Sequence, residues 1–106
     1  MPDMTAMTVL DTIAGTLVNQ EKYRSKEEAL RALAQSAVRD KIGHYQRRIR
    51  RLQRKYGLDF AAFSRSLQGH ATPQQEDDWL DWRTAHSMLE DWQTVFASLS
   101  HEPAGQ

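Results

Sequence analysis

The sequence predicts an all-α protein, a small helical bundle built on a long antiparallel helical hairpin with helices at about 4–19, 26–56, 59–68 and 73–100. Three observations carry this prediction. Ile42, Tyr45, Ile49, Leu52 and Tyr56 recur at spacings of three, four, three and four, the repeat that puts side chains on one helix face. Trp82, Ala85, Leu89, Trp92, Phe96 and Leu99 repeat that spacing further on. The two segments also carry opposite charge: residues 39–56 hold eight basic residues against Asp40, a net +7, and residues 74–92 hold six acidic residues against Arg83, a net −5.

Each element follows from local chemistry. In the first segment Met7, Leu10, Ile13, Ala14, Leu17 and Val18 keep helical spacing, while Thr5, Thr8, Thr12 and Gly15 weaken the propensity. A short strand over Thr5 to Leu10 competes with the helix there. Residues 19–24 read as a polar connection. Ser25 and Glu28 form the Ser-x-x-Glu pattern of a capping box and start the next helix. Ala29, Leu30, Leu33, Ala34, Ala37 and Val38 carry its apolar face into the Ile42–Tyr56 seam, and Gly57 suits the left-handed residue after the helix end. Lys26 to Tyr56 spans about 46 Å at 1.5 Å per residue. Gly43, in its middle, marks a bend or a close helix contact.

Asp59 caps a short helix whose Phe60, Phe63 and Leu67 fold back over the hairpin's end. Gly69 to Ala71 is a turn. Thr72, Pro73 and Gln75 then supply a cap, a first-position proline and a capping-box partner for the last helix. The acidic residues Glu76, Asp77, Asp78 and Asp81 lie at that helix's positive end, and Arg47 to Lys55 lie at the negative end of the long helix. Antiparallel packing sets the two blocks side by side, where they fix register. Residues 1–101 form one helical domain, and 102–106 read as a disordered tail.

Composition bounds the function. The 106 residues contain no cysteine, which excludes disulfides and thiolate chemistry and suits the cytoplasm. No apolar run approaches the roughly 20 residues of a membrane span, so no membrane partner is expected. Asp40 with His44, and His86 with Glu90, share a helix face, but the Glu-x-x-His pattern of di-metal bundles is missing, and both histidines read as surface residues. No organised nucleophile, phosphate-cradling loop or apolar carboxylate pair is visible. The sequence therefore predicts no enzyme, no cofactor and no metal.

What it offers instead is a second apolar series on the last helix, Ala85, Met88, Trp92, Val95 and Leu99. One neighbouring helix cannot cover both series. Trp79, Trp82, Met88, Trp92 and Val95 are the candidate partner-binding residues, with Trp79 the one expected outside a monomer core. A three-helix monomer core, a homodimer and a groove for another protein's helix all satisfy this pattern. Nucleic acid is the less favoured partner, with Lys22, Arg24, Arg31, Arg47, Arg48 and Arg51 as its contacts. The facing acidic cluster and a pI of 6.9 argue against it.

The stretch Leu17 to Arg31, with Tyr23-Arg24-Ser25-Lys26-Glu27-Glu28-Ala29-Leu30-Arg31 at its centre, resembles the first-helix start of small prokaryotic antitoxins of the ribbon-helix-helix type. The later Lys55-Tyr56-Gly57-Leu58-Asp59-Phe60 and its acidic, Trp-rich helix are similar to C-terminal regions of small proteins found with toxin–antitoxin pairs. In this chain the upstream region reads as helix where that family has a basic strand. The resemblance implies neutralisation of a partner toxin and autoregulation of the operon. A DNA-binding regulator and a structural dimerisation module are the alternatives.

The seam makes a prediction at residue level. Leu52→Asp or Trp92→Asp buries an unpaired charge between the helices and should unfold the chain, whereas Arg48→Ala should be nearly silent. A thermal melt of Trp92→Asp that matches the parent would show the seam to be misassigned.

Overall fold

The computed structural model describes residues 6–19 and 24–101 as four helices: α1 (Ala6–Asn19), α2 (Lys26–Tyr56), α3 (Phe60–Ser66) and α4 (Pro73–Ser100). Among the described residues there is no strand, and Ala6 to Leu10 is helical, which removes the strand alternative over that stretch. The predicted bounds of the two long helices are those observed; the short helix is tighter, with Asp59 as its cap and a turn from Leu67. The tail 102–106 lies outside the described residues.

Caps fix the ends. Ser25 Oγ accepts from the Glu28 amide at 3.1 Å, so the serine half of that box forms, while Thr72 and Gln75 complete theirs reciprocally. Gly57 ends α2 at φ 65°, and its amide donates to the Gln53 carbonyl at 2.8 Å. Gly43 interrupts nothing. A Cβ built there meets only the Arg47 guanidinium, at 3.0 Å, so the glycine clears space for a side chain of its own helix and makes no close helix contact.

α2 and α4 pack along most of their length, and their direction is set by the contacts at the two ends. At one end Lys55 reaches Asp78; at the other Arg31 Nη1 and Gln35 Nε2 donate to the Leu99 carbonyl, and Arg31 also donates to that of His101 at 2.9 Å. The hairpin is antiparallel. The second set of bonds satisfies carbonyls that the end of α4 would otherwise leave unpaired.

The main core sits where α2, α3 and α4 converge. Ile49, Leu52, Phe63, Trp82 and Ala85 are buried, and Tyr45, Tyr56, Phe60, Leu67, Trp79 and Leu89 pack around them. Phe63 stacks on Trp82 with ring centroids 5.3 Å apart and lies 4.1 Å from the Tyr56 ring. As predicted, α3 folds back over the hairpin's end. At the other end α1 lies against α2, where the buried residues are the smaller Ala14, Ala29 and Val38.

The resulting shape is long and thin. Its extents are 59 × 40 × 22 Å, and its Cα radius of gyration is 19.8 Å, against about 13 Å for a compact domain of this length. Apolar side chains stay uncovered as a result: Met7, Val9, Leu10 and Ile13 on α1, Leu58 beyond α2, and Leu80 and Val95 on α4.

Because Gly43 faces only the flexible end of Arg47, Gly43→Ala should raise stability by up to about 1 kcal/mol, the cost of a glycine inside a helix. A thermal melt checks this. A lower Tm would mean that the glycine serves a contact this fold does not contain.

Candidate functional site

The two charge blocks meet, and the meeting sorts them. Arg48 Nη2 lies 2.6 Å from Asp81, Arg51 reaches the same carboxylate at 3.8 Å, and Lys55 Nζ donates to Asp78 at 2.7 Å. The Tyr56 hydroxyl donates to the same Asp78 oxygen. Two acids of α4 thus clamp the C-terminal end of α2, and Glu76 and Asp77 remain outside the clamp.

The clamp shifts its own protonation. Asp78 is held below the ordinary aspartate range, first by the hydrogen bond from Lys55 and then by that from Tyr56. Lys55 is raised by the bond it donates to Asp78. Tyr56 is raised first by burial and then by its bond to Asp78.

The candidate partner-binding residues separate in the structure. Trp82 is fully enclosed, with Phe63 stacked on its ring and Phe60 tilted against it, so its assignment to a partner surface is corrected: packing by α3 leaves none of it exposed. Trp79 is half-buried rather than outside the core; its indole N–H donates to Ser64 Oγ at 2.8 Å, and its ring stacks on Phe60. It lines a shallow apolar depression of about 310 Å³ with Ser64, Leu67, Gln68, Ala71 and Glu76. Trp92 is half-buried, and its N–H meets no acceptor among the described residues. The series containing Leu89, Phe96 and Leu99 is thus the inward one. Of the other series, Met88 is half-buried and Val95 is 41% exposed.

Sequence reasoning missed Leu80, which at 55% is the most exposed large apolar residue of α4. It sits eight residues before Met88, with Thr84 between, and these three line a second depression of about 250 Å³ with Arg83 and Ser87. Leu80, Met88 and Val95 therefore share one outer stripe. The spacing was readable, but Leu80 sits inside the acidic cluster, which masked it.

The candidate nucleic-acid contacts divide as well. Lys22 lies outside the described residues, and Arg24 is exposed. Arg31 is committed to the carbonyls at the end of α4, and Arg48 to Asp81, so both are corrected to structural roles: their guanidinium groups satisfy partners inside the hairpin. Arg47 and Arg51 are exposed and lie beside Arg50 and Arg54, which the contact set omitted.

The i, i+4 histidine pairs also differ from expectation. His44 is exposed, but His86 is half-buried with its ring 5.6 Å from Phe60, a packing residue rather than a surface one. Among the described residues no three His, Asp or Glu side chains converge to hold a metal ion, and no helix is long and apolar enough to cross a membrane. Comparison with family models, curated proteins and solved structures finds no match, so function is argued from these surfaces.

The clamp gives a pH signature. A lowered Asp78 contributes stability above its ordinary value and loses it as pH falls through the folded-state value; raised Tyr56 and Lys55 contribute below theirs and lose it as pH rises through the folded-state values. The Tm difference between the parent and Asp78→Asn should be greatest between about pH 4 and 10 and shrink on both sides. A difference independent of pH would contradict the clamp.

Proposed function

We propose that this chain is a protein-binding helical module, antitoxin-like in use, whose α4 engages and masks a partner protein. The observation that carries the reading is the outer stripe of Leu80, Met88 and Val95 on a helix whose opposite side is already packed on α2. Surface apolar residues scattered singly need no explanation, but a row along one straight helix face offers the spaced anchors of a helical interface. The Trp79 depression lies beside the start of the same helix and can take one further apolar side chain. The resemblance of the Tyr23–Arg31 stretch to antitoxins supports a toxin-like protein as that partner.

A second reading, a structural dimerisation module, is favoured by α1. Its only ionisable side chain is Asp11, and Met7 is 67% and Ile13 41% exposed. A helix of 14 residues gains its stability from packing rather than from propensity, so this uncovered face is what a second copy would cover. Sedimentation velocity across a hundredfold concentration range decides it: a single monomer boundary throughout would remove the reading.

The partner reading is tested by co-expressing the chain with the product of the adjacent gene. Leu80→Glu with Val95→Glu should abolish co-purification while leaving the Tm within about 2 °C, because both positions are solvent-facing surface sites. Failure of the unaltered protein to retain its neighbour would contradict the proposal, as would undiminished capture by the double variant.

A further inference from the structure

The hairpin neutralises only part of its basic block, and the part left over is ordered. Arg48 and Lys55 point to Asp81 and Asp78 across the helix pair. Among the described residues the side chains of Arg47, Arg50 and Arg54 meet no ion-pair or hydrogen-bond partner, and Arg51, with its side chain 67% exposed, has only the 3.8 Å contact to Asp81. Positions 47, 50, 51 and 54 are related by three, four and seven residues, so these guanidinium groups share the face of α2 turned away from the core. They span about 10 Å along the axis. With His44 and Arg48 they line an open depression of about 710 Å³.

Such a face is unfavourable alone. Like charges three and four residues apart repel, and among the described residues only Asp81, through Arg51, offsets any of them. The exposed acids of α4, Glu76, Asp77, Glu90 and Asp91, belong to the other helix of the pair, and exposed Asp40 of α2 lies about 10 Å along the axis before Arg47; at physiological salt the field of an exposed charge decays within about 8 Å. The zero net charge of the chain therefore conceals a local cationic surface.

We infer that the outer face of α2, through Arg47, Arg50, Arg51 and Arg54, binds the phosphate backbone of duplex DNA without reading its bases. All four groups are guanidinium, whose planar fork matches phosphate oxygens in pairs. No large apolar side chain lies among them, since Ile49 and Leu52 are buried and Tyr45 packs on the core, and the one ring beside them, that of His44, is edge-on to Tyr45. A protein interface lacks its usual buried anchor there, a membrane surface lacks an apolar face to enter, and single-stranded nucleic acid, which stacks successive bases, has no row of aromatic rings to stack on. Phosphate neutralisation needs none of these. A B-form major groove about 12 Å wide admits a helix, whereas the deep, narrow groove of duplex RNA does not. This surface is separate from the Leu80–Val95 stripe, so the inference stands or falls independently of partner capture.

The test is fluorescence anisotropy with two fluorescein-labelled 20-base-pair DNA duplexes of unrelated sequence, from 25 to 200 mM NaCl. Both should bind equally, with log K falling against log [salt] at a slope near −4, about −0.9 per phosphate contact. The variant Arg47→Ala/Arg50→Ala/Arg54→Ala should keep or exceed the parent's Tm, bind at least tenfold more weakly at 25 mM and lower the slope to about −1. Arg65→Ala, an exposed change on α3, should bind as the parent does. The inference is overturned by absence of binding at 25 mM salt, by a triple variant that binds like the parent, or by single-stranded DNA or duplex RNA binding as tightly as duplex DNA.

Discussion

Burial of Trp82 under Phe63 is the interaction on which the rest of the molecule depends. A tryptophan and a phenylalanine removed from water are each worth more than any polar contact in the structure, and here they lock three helices at once. α3 is only seven residues long, too short to be helical on its own, and persists because Phe63 and Phe60 hold it to α4. With α3 in place, Ile49 and Leu52 of α2 are sealed from the other side. A large side chain at 82 and a short aromatic helix at 60–66 are thus one structural decision.

That decision distributes everything polar. Once α2 and α4 lie antiparallel over the core, Asp78 and Asp81 fall beside Lys55, Tyr56, Arg48 and Arg51. Ion pairs this accessible add little stability, so they select direction and register for a hairpin that apolar burial stabilises. The same register sends Arg31 to the far end of α4, where it closes the helix's carbonyls. Charges that look like one block in sequence become two groups with different work, one bound inside the hairpin and one left facing solvent.

Most of the fold was legible because its signals are local or periodic. Ser25, Gly57, Asp59 and Thr72 marked helix ends through the backbone groups they satisfy, and the Ile49–Leu52 and Trp82–Leu89 spacings marked the inner faces. The candidate surfaces were less legible. Periodicity places Trp82 on a face but cannot say that α3 covers it, because that depends on where a seven-residue helix lands. It groups Arg47 with Arg48 as neighbours, although a turn of 100° per residue sends one outward and the other to Asp81. Leu80 was hidden for the converse reason, as an apolar residue set among acids. In each case the missing information was which neighbour arrives from elsewhere in the chain.

The most direct test of the account is native-state amide hydrogen exchange followed by NMR. If Trp82 and Phe63 join α2, α3 and α4 into one unit, amides around Leu52, Phe63, Trp82 and Ala85 should open with a common free energy, the highest in the chain, while α1 exchanges at a lower one. Protection of α4 that is lost independently of α2, or a maximum located in α1, would contradict a molecule built on that core.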